Sequence, residues 1–423
     1  MSDDRGIVVL GAGLAGLTVA RATGAPLYEA EAQIGGVAAS DRVDGFIFDR
    51  GIHILQTRNV QVLDLLRDAG VVFTARSRNA YIYSHGKYTA YPFQVNTAGL
   101  PLGLRWRCVA GFLRRQYQPE PTNYEEWIYR SVGKGFAETF LIPYSEKFWT
   151  VHPREMTYSW TDNRVPQARL GQVLRGALIS RQTRLGTNVE FSYPVNRPGF
   201  GAIADALAPK QSPLHLGHRA TLIDAERRVV RFNDTVDVPY RTLVSTIPLP
   251  ELVRICPQAP EPVRNAASRL RTNRILVVNL GIDQPAISDK HWVHFPEPDV
   301  SFFRLSYPHN FAENVAPPGM SSISAEVAYA GPAAPDEAKL TERVIEDLYR
   351  VGALNPRHRI TARMVRDIPY GYCLYDHDRE QSLETIMEWL PKAGIVACGR
   401  YGLWTYFWSD ETIQSGLVAA GKL

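Results

Sequence analysis

Cysteine is scarce in this 423-residue chain: Cys108, Cys256, Cys373 and Cys398 stand apart, with no CxxC pair and no spacing that would build a metal site. A disulfide framework and a zinc module are thereby excluded, and a reducing cytoplasm is the expected home. Charge of one sign is also lacking. Forty-seven basic residues face 43 acidic ones, a net of +4, and no basic stripe of the kind nucleic acid demands is present. Lysine is rare among the basic residues, eight against 39 arginines, and a GC-rich genome explains that excess more simply than a set of anion clamps. Long apolar runs are missing too: residues 6–20 are broken by Gly11, Gly13 and Gly16, and Asp3 and Asp4 occupy the part of a signal peptide that should be positive. No export signal and no membrane span are expected. There is no internal repeat and no low-complexity tract. Neither a Ser/His/Asp set nor a pair of neighbouring carboxylates stands out as a source of ordinary acid–base or nucleophilic chemistry.

What is present is an ordinary globular composition, 45% apolar and 21% charged, on a chain long enough for two or three packed subdomains. The opening reads as a βαβ unit: Ile7-Val8-Val9-Leu10, then Gly11-x-Gly13-x-x-Gly16, then a helix over residues 14–22 and a short strand over 26–28. The strand before and the helix after give the glycines their meaning. They permit a tight turn and close backbone approach to a pyrophosphate, whose charge meets the N–H groups and dipole at the helix start. Leu14 and Ala15, at the start of that helix, belong to the same cofactor site. Glu29 closes the second strand where an acid reaches an adenosine ribose. A second glycine pair follows in Glu31-x-x-x-Gly35-Gly36-Val37 and turns the expectation from a nicotinamide cofactor to FAD.

Residues 99–180 are rich in helix formers, Trp, Tyr, Phe and Arg, with apolar residues at helical spacing. Short strands follow over 219–224, 229–233 and 242–246, then alternating stretches over 275–281, 292–295, 301–306 and 322–329 that suit an antiparallel sheet. An amphipathic helix is expected over 338–352, and strand, loop and helix over 394–421. The fold class is therefore α/β, a Rossmann-like FAD-binding domain with a helical insertion and an antiparallel β-sheet domain. Residues 1–95, 186–270 and 371–423 form the FAD-binding domain in three parts, 96–185 the helical subdomain and 271–370 the sheet domain.

Further segments carry a family resemblance. Asp44-Gly-Phe-Ile-Phe-Asp49-Arg-Gly51-Ile-His53, Tyr91-Pro-Phe-Gln94, Trp127-Ile-x-x-x-x-Gly133 and Pro143-Tyr144-Ser145-x-Lys147-x-Trp149 come first. Trp160-x-x-x-Arg164, Phe295-Pro-Glu-x-x-x-x-Phe-x-Arg304, Gly371-Tyr372 and Gly399-Arg400-x-Gly402-x-Trp404-x-Tyr406 with Asp410 follow in order. Together they resemble UDP-galactopyranose mutases, nearest the eukaryotic-type branch, within the amine-oxidase-like flavoprotein superfamily. The resemblance implies a nucleotide-sugar pyranose/furanose mutase in which N5 of reduced FAD attacks the anomeric carbon, with an external donor such as NAD(P)H or a reductase to reduce the flavin. It implies that Tyr91, Phe93, Gln94, Tyr144, Ser145 and Trp149 line the base and sugar pocket, and that Asn188 reaches the sugar. Arg164 and Arg304 then straddle the diphosphate beside His294, Tyr372 and Tyr406. His53, Ala220, Arg400, Asp410 and Gln414 lie by the flavin or the helix facing it. Four positions depart from the family. Ser145 stands where an asparagine contacts uracil, and His294 where a tyrosine meets the diphosphate; Arg50 and Ile52 also replace small residues around the histidine loop. The base and the sugar are left open, as are two other readings: an FAD-dependent oxidase or desaturase, and a non-catalytic flavin or sugar-nucleotide binder.

Overall fold

The computed structural model describes residues 6–162, 164–183, 185–187 and 189–423. A five-stranded parallel sheet runs in the order 395–397, 242–245, 7–10, 27–28, 214–215. Its strands come from three distant parts of the chain. Side chains alternate between two cores, as the two-residue repeat of a strand requires. Val9 and Val244 face the helices Leu14–Thr23 and Ser409–Ala420, while Val8, Leu10, Leu243 and Ile395 face Leu249–Arg254, Glu261–Arg269 and Arg379–Trp389. A three-stranded sheet of residues 220–239 caps the second side.

The second large sheet has seven strands in the order 360–368, 274–282, 321–329, 304–306, 292–294, 80–84, 87–90. Its pairings are antiparallel apart from 292–294 beside 80–84, which run parallel. Residues 80–90 therefore belong to this sheet, although they were expected in the first FAD-binding segment; local alternation announces a strand and says nothing of which sheet receives it. Leu276, Val278, Leu280 and Ala325 pack on helix Glu337–Arg350 through Val344 and Leu348. The opposite face, through Ile275, Val277, Phe303 and Ile368, meets the helical part. That part consists chiefly of helices Leu102–Leu113, Tyr124–Phe136, Ile142–Trp149 and Leu170–Leu178. The four cysteines are free and buried. Among the described residues no helix is long and apolar enough to cross a membrane.

Candidate active site

One continuous cavity of about 940 Å³ runs from the C-terminal edge of the parallel sheet to the seam between the helical part and the large sheet. That volume lies at the upper end for small-molecule sites. The sheet-edge end is built by the first glycine motif. Gly11 has φ +90°, a conformation glycine adopts without strain, and its N–H donates to the Tyr28 carbonyl at 2.8 Å. Gly16 lies beneath the wall, where a Cβ would collide with the Gly11 carbonyl oxygen; it sets the closeness of helix to strand. Gly13 differs: it has φ −72°, and a Cβ there would meet nothing within 4 Å, because it would project into the cavity. The helix it opens has no side-chain cap, so its first N–H groups have no cap acceptor at the wall. Glu29 accepts hydrogen bonds from Ala12 N at 2.7 Å and Glu31 N at 2.9 Å, which fixes its carboxylate beside the loop. Gly35 N–H donates to the Ala12 carbonyl at 2.8 Å, drawing the second glycine pair against the first. Leu14, Ala15, Gly36, Val37 and Ala220 complete this wall. Backbone donors, a helix start and room only where a pyrophosphate is to lie together fit FAD.

The far end is aromatic and cationic. Helix Ile142–Trp149 supplies Tyr144, Ser145, Phe148 and Trp149 to the wall. Tyr144 Oη lies 2.9 Å from His294 Nδ1, and Ser145 donates to Tyr124 Oη at 3.4 Å. Tyr91 and Gln94 join them. Tyr372 and Tyr406 meet edge to face at 5.3 Å, and burial raises Tyr406 to about 12, so its hydroxyl remains a donor at neutral pH.

Three guanidinium groups enter this end. Arg304 makes a bidentate pair with Glu326, at 2.9 and 2.6 Å, and its Nη2 also donates to Tyr372 Oη at 3.4 Å. Arg164 reaches Glu411 at 2.8 and 3.1 Å and lies over the rings of Tyr406 and Trp408. Arg400 donates to the carbonyls of Gly371 and Phe407, at 3.0 and 3.2 Å, and stands over Tyr372. Among the described residues it has no carboxylate within ion-pair reach, and its buried Nε has no hydrogen-bond partner. A buried cation without an acid is costly, and an anionic group in the cavity would offset that cost.

His53 sits on the loop after Asp49, its Nδ1 3.3 Å from the Gly51 carbonyl, which can only accept. Nδ1 therefore carries the proton and Nε2 is left as an acceptor. Burial, with Arg400 and Arg304 adding to it against the Gly51 carbonyl, lowers His53 to about 4. His294 is lowered to about 3 by burial and then by Arg304 and Arg78. Both rings are neutral at neutral pH.

Some expected residues lie elsewhere. Phe93 is fully buried behind the wall against Phe136 and Phe140. Gln414 exchanges amide hydrogen bonds with Asn59 at 2.8 Å and Gln61 at 3.2 Å, and Asp410, in the first turn of the same helix, is off the wall. Helix periodicity brings that helix to the site but does not rotate it. Asn188 falls outside the described residues. Glu326, Glu411 and Phe148 line or brace the cavity although the sequence reading names none of them, and Trp160, quoted there only as part of a motif, lines it too. Glu326 had a signal, a lone charge inside the small and apolar strand Ser321–Tyr329. Glu411 reads from sequence only as a first-turn acid, and indeed it also accepts from Trp408 N at 2.6 Å.

A discontinuous parallel sheet with a glycine-lined dinucleotide cradle, joined in one cavity to a second, cationic compartment, defines an FAD-binding protein. The family model for flavin-containing amine oxidoreductases matches residues 14–423, and the chain belongs to that family. It is similar to a solved reduced UDP-galactopyranose mutase at 27% identity and a TM-score of 0.93, over 98% of this chain and 93% of that one. More distant are a structure from Exiguobacterium sp. 255-15 provisionally named protoporphyrinogen oxidase (18%, TM-score 0.77, 99% and 98% covered) and a putrescine oxidase with bound putrescine (14%, TM-score 0.66, 99% and 98%). These two show the fold alone.

Proposed function

We propose that the protein is an FAD-dependent mutase that interconverts the pyranose and furanose forms of a nucleoside-diphosphate hexose, UDP-galactose being the default substrate. The observation that carries this reading is the placement of Arg164 and Arg304 in one cavity wall with the hydroxyls of Tyr372 and Tyr406. Planar guanidinium forks suit a diphosphate as lysine cannot. Arg304 is held by Glu326 through its Nε/Nη2 edge and Arg164 by Glu411 through Nη2 alone, which leaves donors on both for a diphosphate, and the helix bearing Tyr144 and Ser145 offers the base a stacking and hydrogen-bonding surface. Reduced flavin, once bound, would supply the nucleophile that a pyranose-to-furanose ring contraction needs. His53 Nε2, neutral and placed as an acceptor, can hold a hydroxyl or ring proton near the flavin end. An oxidase acting on an apolar substrate has no use for these arginines.

The test is anaerobic chromatography of UDP-, GDP- and TDP-hexoses with reduced and with oxidised enzyme. Turnover should appear only after chemical reduction, consume no stoichiometric donor and change ring size without changing mass. Activity confined to the oxidised enzyme, with peroxide released, would refute the mutase. In physiological use an external reductant, NAD(P)H or a reductase, has to supply the electrons.

Two further outcomes follow from the site. Sugar-nucleotide phosphates keep their charge across neutral pH, and neither His53 nor His294 gains a proton until the pH falls toward 4 or 3. Affinity for the sugar nucleotide should therefore be flat between about pH 5.5 and 8; a ten-fold fall as the pH rises through about 6.5 would show a histidine cation in the diphosphate site. Ser145 offers one hydroxyl, already engaged with Tyr124, where the resembled family has an amide with both donor and acceptor. Titration of UDP, GDP, TDP and CDP should reveal a relaxed or altered base preference, and a preference for UDP above about a hundred-fold would count against this.

A further inference from the structure

Two neighbouring helices carry apolar stripes on faces that the fold leaves uncovered. In Leu102–Leu113 the core side consists of Leu104, Cys108, Val109 and Phe112, yet Leu102, Trp106 and Leu113 are 66%, 70% and 58% exposed. At 3.6 residues per turn those three positions fall within about 40° of one another and continue the buried arc past Val109 into solvent. In Leu170–Leu178, Val173 and Gly176 face inward while Leu170, Leu174 and Leu178 recur every fourth residue, 41%, 44% and 78% exposed. The two helices lie side by side, with Arg105 donating to the Ala177 carbonyl at 2.9 Å. Tyr117 and Ile179, just past the two helix ends, are also exposed. Single exposed leucines need no explanation, but an apolar arc that runs on well beyond the buried side of a helix is ordinarily covered there too.

The charge of these segments names the cover. No Asp or Glu occurs between residues 91 and 119, nor between 163 and 189, in a chain whose charges otherwise nearly balance. Arg105, Arg107, Arg114 and Arg115 accompany the first stripe, and Arg169, Arg175 and Arg181 the second. We propose that this face is a docking surface for an anionic lipid bilayer, with the leucines and Trp106 entering the acyl boundary and the arginines meeting the headgroups. Leucine, tryptophan and arginine without acids is the composition of an interfacial helix. A second copy of this chain fits less well, because a two-fold interface sets each patch against itself and brings the arginines together without a carboxylate between them. The proposal does not depend on the mutase reading.

Flotation of the FAD-loaded protein tests it, using phosphatidylcholine vesicles alone and vesicles with about one third phosphatidylglycerol. The protein should float only with the anionic vesicles and be released by salt. The double variants Trp106→Ser/Leu174→Ser and Arg114→Glu/Arg175→Glu should each lower the bound fraction about ten-fold or more, with flavin content and melting temperature unchanged because these side chains stand in solvent. Failure of the wild type to float with anionic vesicles, or flotation that both double variants retain, overturns the proposal. So does a concentration-dependent dimer in sedimentation that Trp106→Ser/Leu174→Ser dissociates, which would assign the face to a second copy.

Discussion

Gly13→Val should purify folded and colourless. The wild-type backbone at Gly13 has φ −72°, which valine adopts freely, and no protein atom lies within 4 Å of the Cβ that would be added. The side chain would instead fill the space next to the helix start that the pyrophosphate needs, so the loss falls on the cofactor and not on the fold. Flavin content by absorbance should drop to background while circular dichroism stays native. Gly16→Ala supplies the contrast, since its Cβ meets the Gly11 carbonyl within the protein; it should lower the melting temperature even with FAD in excess. A yellow, fully loaded Gly13→Val protein would remove the glycine loop from the cofactor site.

Arg304→Ala should lose both stability and nucleotide binding, and the two losses should be separable. Glu326 is 2% exposed and holds Arg304 through both oxygens, while its Oε1 also accepts from Ile52 N at 3.2 Å. Removing the arginine leaves a buried carboxylate uncompensated, a change that costs ~3–5 kcal/mol. Urea unfolding of the variant against the wild type would show the loss. Arg304→Met/Glu326→Leu removes both charges and should recover most of the stability. It should not recover the affinity for nucleoside diphosphates, which falls by ~2 kcal/mol or more with the lost donors. If the double variant binds as the wild type does, Arg304 is a structural ion-pair partner and not a clamp.

Some parts of this molecule are legible residue by residue. The strand at Ile7–Leu10, the turn at Gly11 and the helix from Leu14 are expected within a residue or two of where they lie, as are the strand Arg274–Ile282 and the helix Glu337–Arg350. Hydrophobic period and glycine placement act over a few residues, and the chain states both openly. Gln414 shows the limit. Its helix is plain from sequence, yet a rotation of that helix about its axis decides whether the side chain meets the cavity or Asn59, and the rotation is set by packing on Leu14–Thr23.

The cofactor cradle can be read from local sequence, because a tight turn, a close approach and an uncapped helix start are properties of neighbouring residues. The class of the fold is legible for the same reason, as strands and helices announce themselves by period. The fate of the arginines is settled by long-range packing. Arg164 meets Glu411 across 247 positions, Arg304 meets an acid on the adjacent strand, and Arg400 meets none among the described residues. Nothing local chooses between these outcomes, because the partner of a long charged side chain is whichever group the folded chain brings within a few ångströms, and burial then fixes what that contact is worth.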